Sequence, residues 1–230
     1  MSVTVIIAAS GSGLRMGGDM PKQFQLLGGK PVLAHTLEAF NRLDIVREII
    51  VAVPADYVEH SRELVNVHGF GKVSAIVPGG SNRAASVYAS LKELCGGIVL
   101  IHDGVRPFIS ERLIRAVANT AGTYGAAVAG IPLTDTIKEV GNNAQVISTP
   151  DRKRFWRVQT PQAFTYELIT KAYALGEKEE ILAQATDDSM LVERLGVPVQ
   201  MVEGNASNIK ITTWEDMALG EILIKEKTRR

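Results

Sequence analysis

The sequence predicts an α/β fold built on a largely parallel sheet, and three observations carry that prediction. β-Branched or apolar runs recur at Thr4 to Ile7, Glu48 to Val53, Val73 to Val77, Ile98 to Ile101 and Ala126 to Ile131. Between them lie segments with apolar residues at helical spacing, the alternation expected of βαβ units. Small-residue or acidic loops then fall just past the strand ends, at Ala8 onward, at Gly79-Gly80 and at His102-Asp103, which is where such sheets bind ligands.

Taken in order, the first strand runs out into the loop Ala8 to Phe24. Gly28 to Pro31 is a turn, and Val32 to Asn41 carries Leu33, Leu37 and Phe40 at helical spacing. Pro54 closes the second strand, and Ala55 to Val67 reads as a helix. A helix opens at Asn82, with Ala85, Tyr88, Ala89 and Leu91 on one side, and ends near Cys95 and Gly96. Ser110 is placed to cap a helix to Ala121, and Pro132 stops the strand that follows.

From Thr134 to Gln159 the alternation breaks into charged and polar sequence, with Gly141-Asn142-Asn143 as a hairpin turn and alternation through Val146 to Thr149. This segment is expected to leave the sheet, and Thr160 and Phe164 lead back. Tyr166 to Leu175 and Asp187 to Leu195 read as helices, and Val199 to Val202 as a strand. Asn208 to Thr212 reads as a short alternating strand carrying Lys210. Thr213 opens the last helix, with Asp216 in capping-box position. With no internal repeat or low-complexity tract, residues 1–230 are expected to form one domain.

The first loop points to anion binding. Ala9, Ser10, Gly11, Ser12 and Gly13 are small enough for backbone N–H groups to converge on one oxyanion. Arg15 offers a planar fork and Lys22 a point charge, so together they can hold different oxygens of one polyphosphate. Neither common phosphate motif is met. Met16 stands where the dinucleotide pattern needs its third glycine, and Gly29-Lys30 is followed by Pro31 instead of serine or threonine.

Composition narrows the partners. The chain has 25 basic and 25 acidic residues among 230, so a general nucleic-acid or anionic-membrane surface is not indicated. The single cysteine, Cys95, excludes an internal disulfide and fits a reducing, cytoplasmic setting. No apolar run approaches the ~20 residues of a membrane span.

Beyond the loop, Asp103 follows a buried strand in His102-Asp103-Gly104-Val105-Arg106-Pro107. A carboxylate there can hold Mg²⁺ beside a polyphosphate, or form a local ion pair with Arg106. His102 is expected to pack or cap, not to react. Gly79-Gly80-Ser81-Asn82-Arg83 with Ser86 opens a helix whose dipole suits an anion or the carbonyl edge of a base. No serine, histidine and acid set implies covalent catalysis.

Together these residues resemble the 2-C-methyl-D-erythritol 4-phosphate cytidylyltransferase (IspD) family. The matching runs are Ala8 to Phe24, Gly28 to Pro31, Gly79 to Val87, His102 to Pro107, Asp135 to Lys138, Asp151 to Gln162, Thr186 to Asp188 and Gly204 to Thr212. Ser10 stands where the family often has alanine, and Ser81 where some members have an acidic residue. The resemblance implies a Rossmann-like three-layer nucleotidyltransferase fold with a protruding β-arm. It also implies CTP and a sugar-alcohol phosphate as substrates, with Mg²⁺ or another divalent cation as cofactor.

By that resemblance, Arg15 and Lys22 stabilise charge on the α- and β-phosphates, while Arg152 and Lys210 position the attacking phosphate. The glycine loop holds the triphosphate, and Gly80 and Ser86 help hold cytidine. Asp103, Arg106, Thr136, Thr160 and Thr186 line the sugar-phosphate and metal region. The family further implies a homodimer in which the arm, at about 134–159, carries Thr136 and Arg152 to a neighbouring subunit. Ribitol 5-phosphate as acceptor, a non-catalytic nucleotide-binding module and a dinucleotide-dependent oxidoreductase are the competing expectations. The runs Asp135 to Lys138, Thr149 to Arg152 and Thr186 to Asp188 favour methylerythritol phosphate among the acceptors.

Overall fold

A computed structural model describes residues 2–11 and 20–228. The chain forms β1 (Val3–Ala8), the short pair β2 (Leu26–Leu27) and β3 (Lys30–Pro31), α1 (Val32–Asn41), β4 (Val46–Val53), α2 (Val58–His68), β5 (Val73–Pro78) and α3 (Arg83–Leu91). Then come β6 (Ile98–Asp103), α4 (Glu111–Tyr124), β7 (Ala126–Pro132), β8 (Glu139–Val140), β9 (Val146–Ser148), β10 (Trp156–Thr165), α5 (Tyr166–Lys178), α6 (Ser189–Glu193), β11 (Gln200–Glu203) and α7 (Trp214–Thr228).

Seven strands make one sheet in the order β11-β7-β10-β6-β1-β4-β5. The pairs β1–β4, β1–β6, β4–β5 and β11–β7 are parallel, and β10 runs antiparallel to both its neighbours. The fold is therefore α/β with a mostly parallel sheet, as expected. From β1 the chain winds outward through β4 and β5, then returns to place β6 on the other side of β1. That reversal opens a crevice at the carboxyl ends of β1 and β6, where Ala8 and Asp103 are register partners.

Helices cover both faces because the strands are apolar on both sides. Val5 and Ile7 of β1 pack with Leu33, Leu37 and Phe40 of α1 and Leu113 and Val117 of α4. Ile6 points the other way, into Val87 and Leu91 of α3 and Ile169 and Tyr173 of α5. A smaller cluster of Leu27, Val32, Val105, Ile211 and Met217 fixes α7 against the crevice floor.

Several expected caps form. Asn82 Oδ1 accepts from Ala85 N at 2.9 Å, and Ser110 Oγ from Leu113 N at 3.3 Å. Asp216 Oδ2 accepts from Thr213 N at 2.9 Å while Thr213 Oγ1 accepts from Asp216 N at 3.3 Å, a reciprocal box. At Gly28-Gly29 both residues have positive φ, 57° and 79°, the backbone that a two-residue hairpin between β2 and β3 requires.

The structure corrects five expectations. The helix from Ala55 starts as a 3-10 turn, Ala55–Tyr57, before α2. α3 ends at Leu91 instead of near Cys95, because Lys92, Glu93 and Leu94 switch to i→i−3 bonds ahead of two glycines of positive φ, Gly96 and Gly97. The helix expected over Asp187 to Leu195 is regular only from Ser189 to Glu193, since Asp187 Oδ1 accepts from Met190 N and acts as its entry. Residues 208–212 form no strand; Ile211 N donates to Val105 O and holds Lys210 on an irregular segment. Finally, the excursion ends early, because β10 rejoins the sheet at Trp156. Pro161, which would ordinarily demote an interior strand, lies within the register shift between Val158 and Gln162.

Candidate active site

The crevice at the β1 and β6 ends is a cavity of ≈ 330 Å³ whose walls include Ala9, Ser10, Gly11, Lys22, Gly80 and Ser81. Asp103, Lys210 and Arg83 close its inner end and also line an adjoining cavity of ≈ 250 Å³ with Arg106, Thr160, Thr186 and Asp187. Two pockets thus share one charged wall.

Close backbone approach explains the glycines and small residues. A Cβ on Gly80 would lie 2.5 Å from Ala85 Cβ, and one on Gly104 would lie 2.7 Å from Ala9 Cβ. Gln23 is buried against the loop, and its Nε2 donates to Ala9 O at 2.6 Å and Gly11 O at 3.2 Å. With those carbonyls turned toward Gln23, the loop has a fixed floor.

The shared wall is organised around the buried Asp103. Its Oδ1 accepts from Arg83 Nε at 3.0 Å, while Oδ2 lies 3.0 Å from Lys210 Nζ and 3.4 Å from Arg106 Nε. Burial is the largest single influence on this carboxyl and acts to raise its pKa. Arg83, Lys210 and Arg106 outweigh it, and hold the group well below the usual carboxylate range. The ion pair expected between Asp103 and Arg106 therefore forms, and Asp103 is an ionised carboxylate beside the small-residue loop.

Arg83 is a residue to which no sequence motif gives a role. A cation in the first turn of α3 opposes the helix dipole, so its position calls for carboxylates nearby. It has two: besides Asp103, its Nη1 and Nη2 donate to Asp188 Oδ1 and Oδ2 at 2.9 and 2.8 Å. Asp188 is fully buried and also accepts from Tyr173 Oη at 2.6 Å. Burial and Asp188 push the Tyr173 hydroxyl well above its usual pKa. Gln162 completes the support, its Oε1 accepting from Asp188 N and Ser189 N, both at 3.0 Å.

On the other side of Asp103 a directed chain of bonds fixes the backbone. Asp103 N donates to Thr160 Oγ1 at 3.1 Å, and Thr160 Oγ1 lies 3.0 Å from His102 Nδ1. His102 Nε2 lies 3.1 Å from Arg106 O, a carbonyl that can only accept, so the ring carries its proton on Nε2 and Nδ1 accepts from Thr160. Burial lowers the His102 pKa to about 4, so the ring stays neutral. His102 packs and bridges, as expected, and has no nitrogen left for a substrate.

Of the sequence-derived residues, Ala9, Ser10, Gly11, Lys22, Gly80, Ser81, Asp103, Arg106, Thr160, Thr186 and Lys210 meet in these two cavities. Gly79 and Ser86 sit behind the wall of the first cavity, where Ser86 Oγ accepts from Gly80 N. Ser12, Gly13 and Arg15 lie outside the described residues. Thr136 and Arg152 are not brought to the crevice: both are exposed on the segment that carries β8 and β9, where Arg152 Nη1 donates to Thr134 O. Arg83, Gln23, Gln162 and Asp188 are additions. Among the described residues no group of three or more His, Cys, Asp or Glu is placed to hold a metal on its own, and no helix is long and apolar enough to cross a membrane.

Comparison with known proteins adds a family match and a fold likeness. The family model "IspD: 2-C-methyl-D-erythritol 4-phosphate cytidylyltransferase" matches residues 3–226. A relative of that name from Geobacter metallireducens is 46% identical, covering 99% of each chain. One from Alkaliphilus oremlandii is 45% identical over 99% of this chain and 96% of its own. The crystal structure of 4-diphosphocytidyl-2C-methyl-D-erythritol synthase from Anaerococcus prevotii superposes with a TM-score of 0.83 at 34% identity, covering 97% of this chain and 96% of that one.

Proposed function

We propose a function from one premise: this chain belongs to the 2-C-methyl-D-erythritol 4-phosphate cytidylyltransferase family. It transfers the cytidylyl group of CTP to 2-C-methyl-D-erythritol 4-phosphate, giving 4-diphosphocytidyl-2-C-methyl-D-erythritol and pyrophosphate in isoprenoid biosynthesis. An acceptor phosphate oxygen forms the new bond to the α-phosphorus. The bond from that phosphorus to the α,β-bridging oxygen breaks, and its electron pair leaves with pyrophosphate.

The observation that carries this reading is the wall shared by two cavities, in which Arg83, Arg106 and Lys210 surround one buried carboxylate. The small-residue cavity suits the nucleotide, and the cavity with Thr160, Thr186 and Asp187 suits the acceptor. A phosphate monoester has its second pKa near ~6, so the nucleophile is already anionic at neutral pH and needs no general base. A neutral His102 with both nitrogens engaged is compatible with that chemistry. What the reaction needs is two polyanions held in line, and such orientation is worth about 7–11 kcal/mol.

Lys22 and Arg15 are assigned to the charge that builds on the triphosphate, and Lys210 to the acceptor phosphate. A divalent cation belongs to the same proposal. Mg²⁺ binds through one or two carboxylates and takes its other ligands from phosphates and water, so a single ionised Asp103 beside a triphosphate loop fits it. Asp103 would hold the ion together with phosphate oxygens, and the ion would neutralise part of the triphosphate charge. Lys210, the most exposed of the three cations on Asp103, is the one that can give way.

The proposal treats residues 1–230 as one nucleotidyltransferase domain and about 134–159 as an arm that completes the site of a second copy. In support, among the described residues β8 and β9 pair only with each other, and they expose Val140, Val146 and Ile147. A two-stranded hairpin of that kind has little stability alone and gains from a partner surface.

The test is pyrophosphate release from CTP and Mg²⁺ with methylerythritol 4-phosphate and with ribitol 5-phosphate in parallel. The unaltered chain should turn over the first only, and Lys22→Ala should lower kcat by roughly 10²–10³, the loss typical of one well-aimed charge donor. Turnover with ribitol phosphate alone would move the acceptor; turnover with neither would end the proposal.

A further inference from the structure

The hydroxyl of Ser10 does something that the glycine loop does not require. Ser86 Oγ accepts from Gly80 N at 3.0 Å, lies 2.8 Å from Asn82 O and lies 2.6 Å from Ser10 Oγ. A carbonyl oxygen has no proton, so the single proton of Ser86 goes to Asn82 O. The bond between the two serines is therefore donated by Ser10. With one bond donated and two accepted, the Ser86 hydroxyl has no capacity left for a ligand.

Position agrees with this assignment. Ser86 is fully buried and does not line the nucleotide-side cavity, whereas Ser10 does. Ser10 stands between Ser86 and the crevice. A Cβ on Gly79 would lie 2.2 Å from Ser10 Cβ and 3.0 Å from Ser86 Oγ, so the main chain walls the pair in from that side. Having given its proton to Ser86, Ser10 presents the cavity with lone pairs only.

We infer that Ser10, and not Ser86, reads the nucleobase, acting as a hydrogen-bond acceptor that selects the exocyclic amine of CTP over the carbonyl of UTP. The inference rests on the cytidylyltransferase reading and deepens it. An amine brings the proton that the Ser10 oxygen lacks. A uracil carbonyl would set two acceptors against each other and leave both unpaired in a small-walled site, which is how polar pockets reject analogues. In a chain with alanine at this position, Ser86 would have a lone pair facing the crevice, and the discrimination would pass to other groups.

The experiment compares CTP and UTP in two readouts, equilibrium binding by calorimetry and kcat/KM for pyrophosphate release, on the unaltered chain, Ser10→Ala and Ser86→Ala. Ser10→Ala should lower the CTP-to-UTP ratio about tenfold in both readouts, mainly through weaker CTP, with an unchanged thermal midpoint. Ser86→Ala frees the Ser10 proton, so there the ratio should fall through better UTP binding instead. A ratio that stays within about twofold in Ser10→Ala overturns the inference, as does a Ser86→Ala variant that weakens CTP and leaves UTP alone. Binding needs no acceptor, so absent turnover in the unaltered chain counts against the proposed reaction and leaves the Ser10 result readable.

Discussion

The wall around Asp103 and the arm that carries β8 and β9 are opposites in how they are held. Asp103, Asp188 and Thr160 are buried, and each is fixed by partners from distant parts of this same chain: Arg83 reaches Asp188 across 105 residues, and Thr160 reaches His102 across 58. The arm is held by itself. Its polar contacts, Lys138 to Thr149 and Ser148 to Glu139, are exposed and stay within the excursion, and its apolar residues face outward. One region is finished by folding, and the other is the one proposed to be finished by a second molecule. Variants that separate stability from activity should divide along that line.

The largest stability effect is expected at Asp188. Replacing it with alanine removes three bonds at once and leaves Arg83 in the wall with only Asp103 to neutralise it. Breaking a buried pair from one side costs about 3–5 kcal/mol, so denaturant unfolding should show a loss of that size. Asp188→Asn keeps the shape and some of the bonds and should recover part of it. A loss below about 1 kcal/mol in the alanine variant would mean that the wall does not depend on this anchor.

For the arm the expectation is reversed. Replacing residues 136–153 with a short glycine linker should leave the unfolding free energy of the subunit close to unchanged while sedimentation shows a monomer. On the proposed function, activity should fall about 100-fold or more, because Thr136 and Arg152 would leave with the arm and one aimed cation alone is worth that much. A monomer with full activity would erase the contrast between the two regions, and so would a deletion that unfolds the chain.

The same contrast explains what could be read from the sequence. Strands β1, β4, β5, β6 and β7 were legible because parallel strands covered on both faces are continuous apolar runs. The loop, Lys22, Gly80, Asp103 and Lys210 were legible because small residues and charges lie just past those runs. β10 was hidden because Pro161 argues against an interior strand and the flanking residues, Trp156 to Gln159, read as part of a polar excursion. Arg83 and Asp188 were hidden for a different reason: their pairing depends on α3 and α6 flanking the same strand ends, which no local pattern states. The dipole conflict of a cation in the first turn of α3 was the available signal. Gln23 offered none, since a glutamine after Pro21-Lys22 reads as surface until the loop folds over it.

A smaller effect should sharpen the comparison through pH. His102 is neutral in the fold, with its pKa lowered from 6.5 to about 4 by burial, while in the unfolded chain it titrates near 6.5. The unfolded state therefore binds the extra proton between those values, and the stability that His102 contributes is fully present above pH 6.5 and lost as pH falls toward 4. Between pH 7 and pH 5 the loss should be about 2 kcal/mol. Asp103, lowered by Arg83, Lys210 and Arg106 against burial, adds a loss of the same sign only in stronger acid, below the ordinary carboxylate value of 3.8. His102→Asn keeps an acceptor for Thr160 and removes the ring, so it should lower stability at pH 7 yet flatten the slope between pH 7 and 5. The arm deletion should leave that slope untouched, since the group responsible lies on β6 and contacts Phe40, Thr160 and Arg106, all outside residues 136–153. If His102→Asn kept the full slope, the acid sensitivity would belong elsewhere, and the ring would be no more than filling in the floor of the crevice.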